Sequence, residues 1–132
     1  MGGGKTAEPA MPDLLVFGIL IPLTDNATGL VHPPEKLDRW LLETVERFGG
    51  VTVMATALRG LWYDPSLPSG ADPVEDYSNW YKVGVTPDRA GELRDHARRA
   101  AVEFGQKCIY FERAGDAEFL WDPAHDPARR VG

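Results

Sequence analysis

The chain is poor in several things whose absence narrows what it can be. It has one cysteine, Cys108, in 132 residues. No disulfide can form within the chain, and that suits a reducing compartment. It has no basic excess: 14 Lys and Arg stand against 20 Asp and Glu, a formal net charge of −6. Nucleic-acid binders usually carry a basic footprint, so no nucleic-acid partner is expected. Arg94, Arg98 and Arg99 are interleaved with Glu92, Asp95 and Glu103, as on a solvated mixed-charge face. No apolar run reaches the roughly 18 residues of a membrane span, so no membrane partner is expected. Met1 to Pro12 lacks the basic and apolar regions of a signal peptide, and the expectation is a cytoplasmic protein.

Motifs for chemistry are scarce as well. His32, His96 and His125 lie far apart without metal-ligand spacing, so neither metal nor cofactor is expected. His96 falls among charged helix residues and reads as solvated. Gly4-Lys5-Thr6 looks like the end of a phosphate-binding loop, but the upstream glycine and strand are missing. Met1-Gly2 with Thr6 fits a myristoylation pattern, a short match that chance often produces. There is no Gly-x-Ser-x-Gly elbow and no His-Glu-x-x-His motif. Cys108 has no Cys-x-x-Cys partner and reads as an inert, buried thiol.

What is present is an ordinary globular composition, 43% hydrophobic and 26% charged, in a chain long enough for one domain with its own core. The expected organisation is a disordered arm over 1–12, a single α+β domain over 13–121 and a loose tail over 122–132.

Leu14 to Ile21 is apolar throughout, as in a central strand covered on both faces. Pro22 closes it, and Thr24 to Gly29 has turn chemistry. Pro34 and Glu35 suit a first helical turn. Leu37, Trp40, Leu41, Thr44, Val45 and Phe48 share one helical face, and Gly49 is a C-terminal cap. Val51 to Trp62 is a long strand. Its Val51, Val53, Ala55 and Ala57 side is expected in the core, with Thr52, Met54, Thr56 and Leu58 facing the other way. Asp64 to Pro73 is an irregular loop. Tyr77 to Val85 is a strand, and Thr86-Pro87 starts a second helix. That helix buries Ala90, Leu93, Ala97, Ala100, Ala101 and Phe104. Lys107 to Glu112 is the last main strand. Ala114-Gly115-Asp116 reads as a turn, and Ala117 to Trp121 fits an extra C-terminal strand.

The order strand, helix, strand, strand, helix, strand is the split βαβ order of the ferredoxin-like fold. Both helices cover one side of an antiparallel sheet and leave the other open. The open face should carry Val16, Gly18 and Leu20; Thr52, Met54 and Thr56; Trp80, Lys82 and Gly84; and Cys108, Tyr110 and Glu112. Gly18 and Gly84, with no side chains, suggest a shallow depression rimmed by Trp80, Met54 and Tyr110.

Three readings of that face compete. A half-apolar sheet face is usually covered by something, and two-fold homodimers are the commonest assemblies. The first reading is therefore an uncharacterised domain that homodimerises through its open sheet face. The alternative is a small-molecule-binding protein or enzyme that uses this face or the cleft beside the 64–76 loop. The third is catalysis by Lys82, Glu112, Tyr110 or Cys108, against which Lys82 and Glu112 read equally as a cross-strand ion pair. The ligand-binding or interface candidates are Met54, Trp62, Tyr63, Trp80, Lys82, Cys108, Tyr110 and Glu112.

Phe17-Gly18, Phe48-Gly49-Gly50, Val51-Thr52-Val53, Gly60-Leu61-Trp62 and Phe104-Gly105-Gln106 carry a resemblance. By these motifs residues 14–112 resemble an uncharacterised bacterial family of ferredoxin-like proteins. The chain departs from it in the long Asp64–Pro73 loop and in Glu75-Asp76-Tyr77-Ser78, which lacks the family's Glu-x-Ser spacing. The resemblance implies the fold and no activity. The broader group of dimeric α/β-barrel proteins is similar in topology, and its members bind or degrade small molecules and pair through their sheets, an analogy of fold alone.

Overall fold

A computed structural model describes residues 13–127. The expected N-terminal arm and the last residues of the expected tail lie outside that range. The elements are β1 (Leu14–Pro22), α1 (Pro34–Phe48), β2 (Thr52–Trp62), β3 (Val74–Val85), a single 3-10 turn (Pro87–Arg89), α2 (Ala90–Glu103) and β4 (Tyr110–Ala117). The strands form one antiparallel sheet in the order β2-β3-β1-β4. This is the α+β, ferredoxin-like arrangement expected from the element order.

β1 sits between β3 and β4, and its odd-numbered residues face the helices. Ile19 and Ile21 are completely buried there, beside Tyr81, Val83 and Leu93. Each such side chain contributes about 1.5–3 kcal/mol by leaving water. α1 lays Trp40 edge-on to Tyr81, with ring centroids 4.9 Å apart. α1 ends at Gly49, whose φ of 91° permits the left-handed cap that a side chain would strain.

His96 is not solvated: it is 5% exposed and forms the seam between the helices. Its ring stacks on Trp40 at 5.1 Å. Thr44 Oγ1 donates to the Trp40 carbonyl at 2.7 Å, so it must accept from His96 Nε2, 2.8 Å away. That fixes the proton on Nε2 and leaves Nδ1 to accept from Arg47, 3.4 Å away. Burial first, then Arg47 and Arg99, push the imidazole below its ordinary pKa and hold it neutral. The isolated sequence position suggested solvent because the partner, Thr44, lies on the other helix.

Three further expectations change. α2 begins with a 3-10 turn at Pro87, and Thr86 makes no side-chain cap bond. β4 continues through Ala114–Ala117 instead of turning, because a bulge opposite Val16 and Phe17 absorbs the extra residue. Residues 118–121, expected as part of an extra strand, follow the end of β4 without forming one, and Phe119 is tied back to Asp13, donating its N–H to that carboxylate at 3.0 Å.

The largest difference is in β2. Val53 is 39% exposed, and Ala55 and Ala57 are exposed too. α1 and α2 make their main sheet contacts on β3 and β1, so the edge strand is less covered. The pairing also slips: Met54 opposes Trp80, but Leu58 opposes Ser78, so three residues face Asn79 alone. Ala57 adopts a φ of 51° to make this bulge, a conformation uncommon for a residue with a Cβ. A two-residue slip keeps the alternation, so Leu58, Gly60 and Trp62 still face the open side.

Candidate functional site

Beyond the bulge, β2 and β3 run on together past the end of β1, whose last residue, Pro22, opposes Ser78. This arm is one wall of a cleft of about 550 Å³ at that end of the open face. The arm contributes Gly60, Leu61, Trp62, Asp76 and Ser78, and Leu20 and Pro22 form the floor. The segment leading into β4 makes the opposite wall with Gln106, Cys108 and Tyr110, backed by the core-packed Ile109 and Phe111, and Asn26 closes the end. The volume falls in the range of small-molecule sites.

The polar groups of the cleft are held in place. Trp62 Nε1 donates to Asp76 Oδ2 at 3.2 Å. Gly60 leaves room for this carboxylate: a Cβ there would lie 3.0 Å from Asp76 Oδ1. Gln106 Nε2 donates to the carbonyls of Thr24 and Phe104 at 2.6 and 2.8 Å. Both amide hydrogens are thereby used, and Oε1 is left as an acceptor. Asn26 is the converse. Its Oδ1 accepts from the Lys107 N–H at 2.8 Å, which leaves its Nδ2 as a donor. The cleft thus combines three aromatic side chains, Trp62, Tyr110 and Phe111, with a carboxylate and an amide donor and acceptor from adjoining loops.

A strap joins the loop after β2 to the opposite wall. Lys107 Nζ donates to Asp64 Oδ2 at 2.6 Å and to Ser66 Oγ at 3.1 Å. The Lys107 hydrogen bond, with those from Ser66, lowers the Asp64 pKa to about 2.

The eight sequence candidates divide into groups. Trp62, Cys108 and Tyr110 meet in the cleft. Tyr63 turns away and lines a separate hollow within its own loop, with Asp64 and Asp72. Met54, Trp80, Lys82 and Glu112 lie on the open face in two registered rows. One row is Met54–Trp80–Leu20–Tyr110, and the next is Thr52–Lys82–Gly18–Glu112.

Two expectations about that face are corrected. The glycines do not leave a depression. A Cβ on Gly18 would lie 2.1 Å from Cζ2 and Cη2 of Trp80, so the indole already fills that space, and Leu14 fills the space beside Gly84. Lys82 and Glu112 do not pair within the chain either. They flank Gly18 from opposite sides, and the Trp80 ring stands between them. Glu112 accepts instead from the Tyr110 hydroxyl at 3.0 Å, which raises the Tyr110 pKa. Cys108, read as buried, is exposed, because it precedes β4 and has no strand neighbour.

Asn26, Gln106, Asp76 and Ser78 were not singled out as site residues. Asn26 and Gln106 are a turn residue and a post-helix residue 80 positions apart, and no local pattern links them.

Among the described residues no three His, Cys, Asp or Glu side chains gather as a metal site, and no helix is long and apolar enough to cross a membrane. No family model matches the chain, and no curated protein matches it. Among solved structures the chain is similar to a phage SAM lyase in complex with S-methyl-5'-thioadenosine. The likeness has a TM-score of 0.57 at 12% identity and covers 89% of this chain and 94% of that one. At that identity it establishes the fold: this is a ferredoxin-like α+β domain.

Proposed function

We propose that the chain is a small-molecule-binding domain, and that the cleft between the β2–β3 arm and the start of β4 receives a nucleoside-like ligand. The observation that carries this reading is the fixed set of complementary groups in the cleft. The donor on Asn26 and the acceptor on Gln106 match an adenine edge, which offers an N–H donor beside a ring-nitrogen acceptor. Trp62 and Tyr110 provide faces against which a base or an apolar thioether packs. Asp76, already oriented by Trp62, can accept from ribose hydroxyls. The similar fold of a protein whose structure holds S-methyl-5'-thioadenosine supports this ligand class as the first to test.

The test is titration calorimetry with S-methyl-5'-thioadenosine. Saturable binding is expected, with a Kd below about 1 mM. Asp76→Ala and Gln106→Leu should each weaken it about tenfold, and inosine-type analogues, which reverse the donor and acceptor, should bind more weakly. Absence of heat and of any thermal shift at several millimolar ligand would refute the reading. Incubation with SAM, followed by chromatography for S-methyl-5'-thioadenosine, asks in the same sample whether the site also turns its ligand over.

A second reading concerns the open face beside the cleft, which shares Leu20 and Tyr110 with it. Met54 is 49% and Tyr110 56% exposed there, in a row with Trp80 and Leu20. Contiguous apolar surface of this kind marks an interface, and a second copy of the chain is its simplest partner. Light scattering after size exclusion reads this directly, and a monomer at 100 µM or so would count against it.

A further inference from the structure

Resting on the open-face interface, we infer that two copies pair about a two-fold axis running along β1, so that Lys82 of each copy meets Glu112 of the other.

The chain leaves two charges of the open face apart. Lys82 and Glu112 both point out of the open face at the same height along the strands, one on each side of Gly18. They are two strand spacings apart, about 10 Å. Two such long side chains could meet over a bare glycine. Trp80 prevents it, because its indole lies directly over Gly18. Among the described residues Lys82 therefore has no ion-pair partner, and neither has Glu112. An apolar face that carries one unpaired cation and one unpaired anion disfavours a featureless apolar partner, because covering those charges without pairing them is costly.

The register then selects the symmetry. A two-fold axis parallel to the strands and above β1 exchanges the β3 and β4 positions and keeps height along the strands. The second copy's Lys82 then lies above Glu112 of the first, and the reverse pair forms by the same operation. The neighbouring row obeys the same exchange, with Trp80 facing Tyr110. An in-plane axis perpendicular to the strands would keep each strand over itself. With its centre on the charged row it would set Lys82 against Lys82 and Glu112 against Glu112. Facing sheets pack about 10 Å apart, which a lysine and a glutamate reaching toward each other can span. Because height is conserved, both clefts lie at the same end of the pair.

The experiment is a charge swap read by native mass spectrometry and analytical ultracentrifugation. Lys82→Glu places two carboxylates together at both symmetric contacts, and Glu112→Lys places two ammonium groups together. Each should weaken association about a hundredfold. Circular dichroism confirms that each variant is folded. The decisive sample is an equimolar mixture of the two variants, in which both contacts are again of opposite sign. It should form heterodimers with affinity close to that of the wild type, as should the Lys82→Glu/Glu112→Lys double variant. A monomeric wild type overturns both this pairing and the interface reading beneath it. A wild-type dimer that is indifferent to the single swaps, or folded single variants that do not recover on mixing, overturns the pairing and leaves the interface standing. A trimer overturns the two-fold axis.

Discussion

Gly18 and Trp80 make a sharp test of how the open face is built. A Cβ at Gly18 would sit 2.1 Å from two carbons of the Trp80 ring, whereas ordinary carbon contacts are about 3.5–4.0 Å. In Gly18→Ala the ring must therefore move by more than about 1 Å or the strands must part, and overpacking of this kind costs about 1–3 kcal/mol. Trp80→Ala removes the three atoms nearest that methyl, and with them the clash. The substitution then reports only the strand preference for Ala over Gly, which stabilises by roughly 0.5–1 kcal/mol. The sign should reverse between the two backgrounds, with a coupling of about 1.5–4 kcal/mol in the double-mutant cycle. Urea unfolding followed by far-ultraviolet circular dichroism measures all four proteins without depending on Trp80 fluorescence. Repeating it at two protein concentrations separates folding from association. Equal destabilisation by Gly18→Ala in both backgrounds would refute the packing of the indole over the glycine.

The remaining expectations concern the helix seam and the strap. The pKa of His96 is lowered chiefly by burial and then by Arg47 and Arg99, and that of His32 by burial and then by Lys36. Below about pH 6.5 the unfolded chain takes up protons that the folded imidazoles refuse. Stability should therefore be complete above that pH and fall as the pH drops through it, and a flat profile between pH 7.5 and 5.5 would contradict the assignment. Thr44→Val removes the acceptor for His96 Nε2–H and should cost about 1–3 kcal/mol by leaving a buried donor unpaired, measured by the same unfolding titration. Lys107→Met removes the cation from Asp64 and should raise its pKa from about 2 toward the ordinary 3.8, as read by NMR. The stabilisation linked to Asp64 is present above its ordinary pKa and lost as the pH falls toward 2. In the variant this acid-side loss should shrink, and the 65–73 loop should be cut faster by protease.

The sheet and its helices were legible because their signals are local. The unbroken apolar run of β1, the three-and-four spacing around Trp40 and the Gly49 cap each need only a few neighbouring residues. β2 was legible as a strand but not as an exposed edge. Alternation says which residues share a side, and only the path of the helices says whether that side is covered. The bulge at Ala57 has no glycine to announce it. The same limit governs the open face and the cleft. Trp62, Cys108 and Tyr110 stood out by residue type and do line one cleft. Asn26 and Gln106 did not, because their roles come from hydrogen bonds that use one half of each amide and leave the other half free. The relation of Lys82 to Glu112 turned on the rotamer of Trp80, which no pattern of residue types encodes.

In the proposed function, the cleft under the β2–β3 arm holds its ligand between Trp62 and Tyr110, with Asn26, Asp76 and Gln106 as its polar contacts. The most direct measurement is a pair of protein NMR titrations with S-methyl-5'-thioadenosine, one on the wild type and one on Trp62→Ala. The expected result is saturable shifts in the wild type confined to the Trp62 indole N–H, the Gln106 and Asn26 side-chain amides and the backbone of 108–110, with about tenfold weaker binding in the variant. Saturable shifts centred elsewhere on the domain, or none at millimolar ligand, would contradict it.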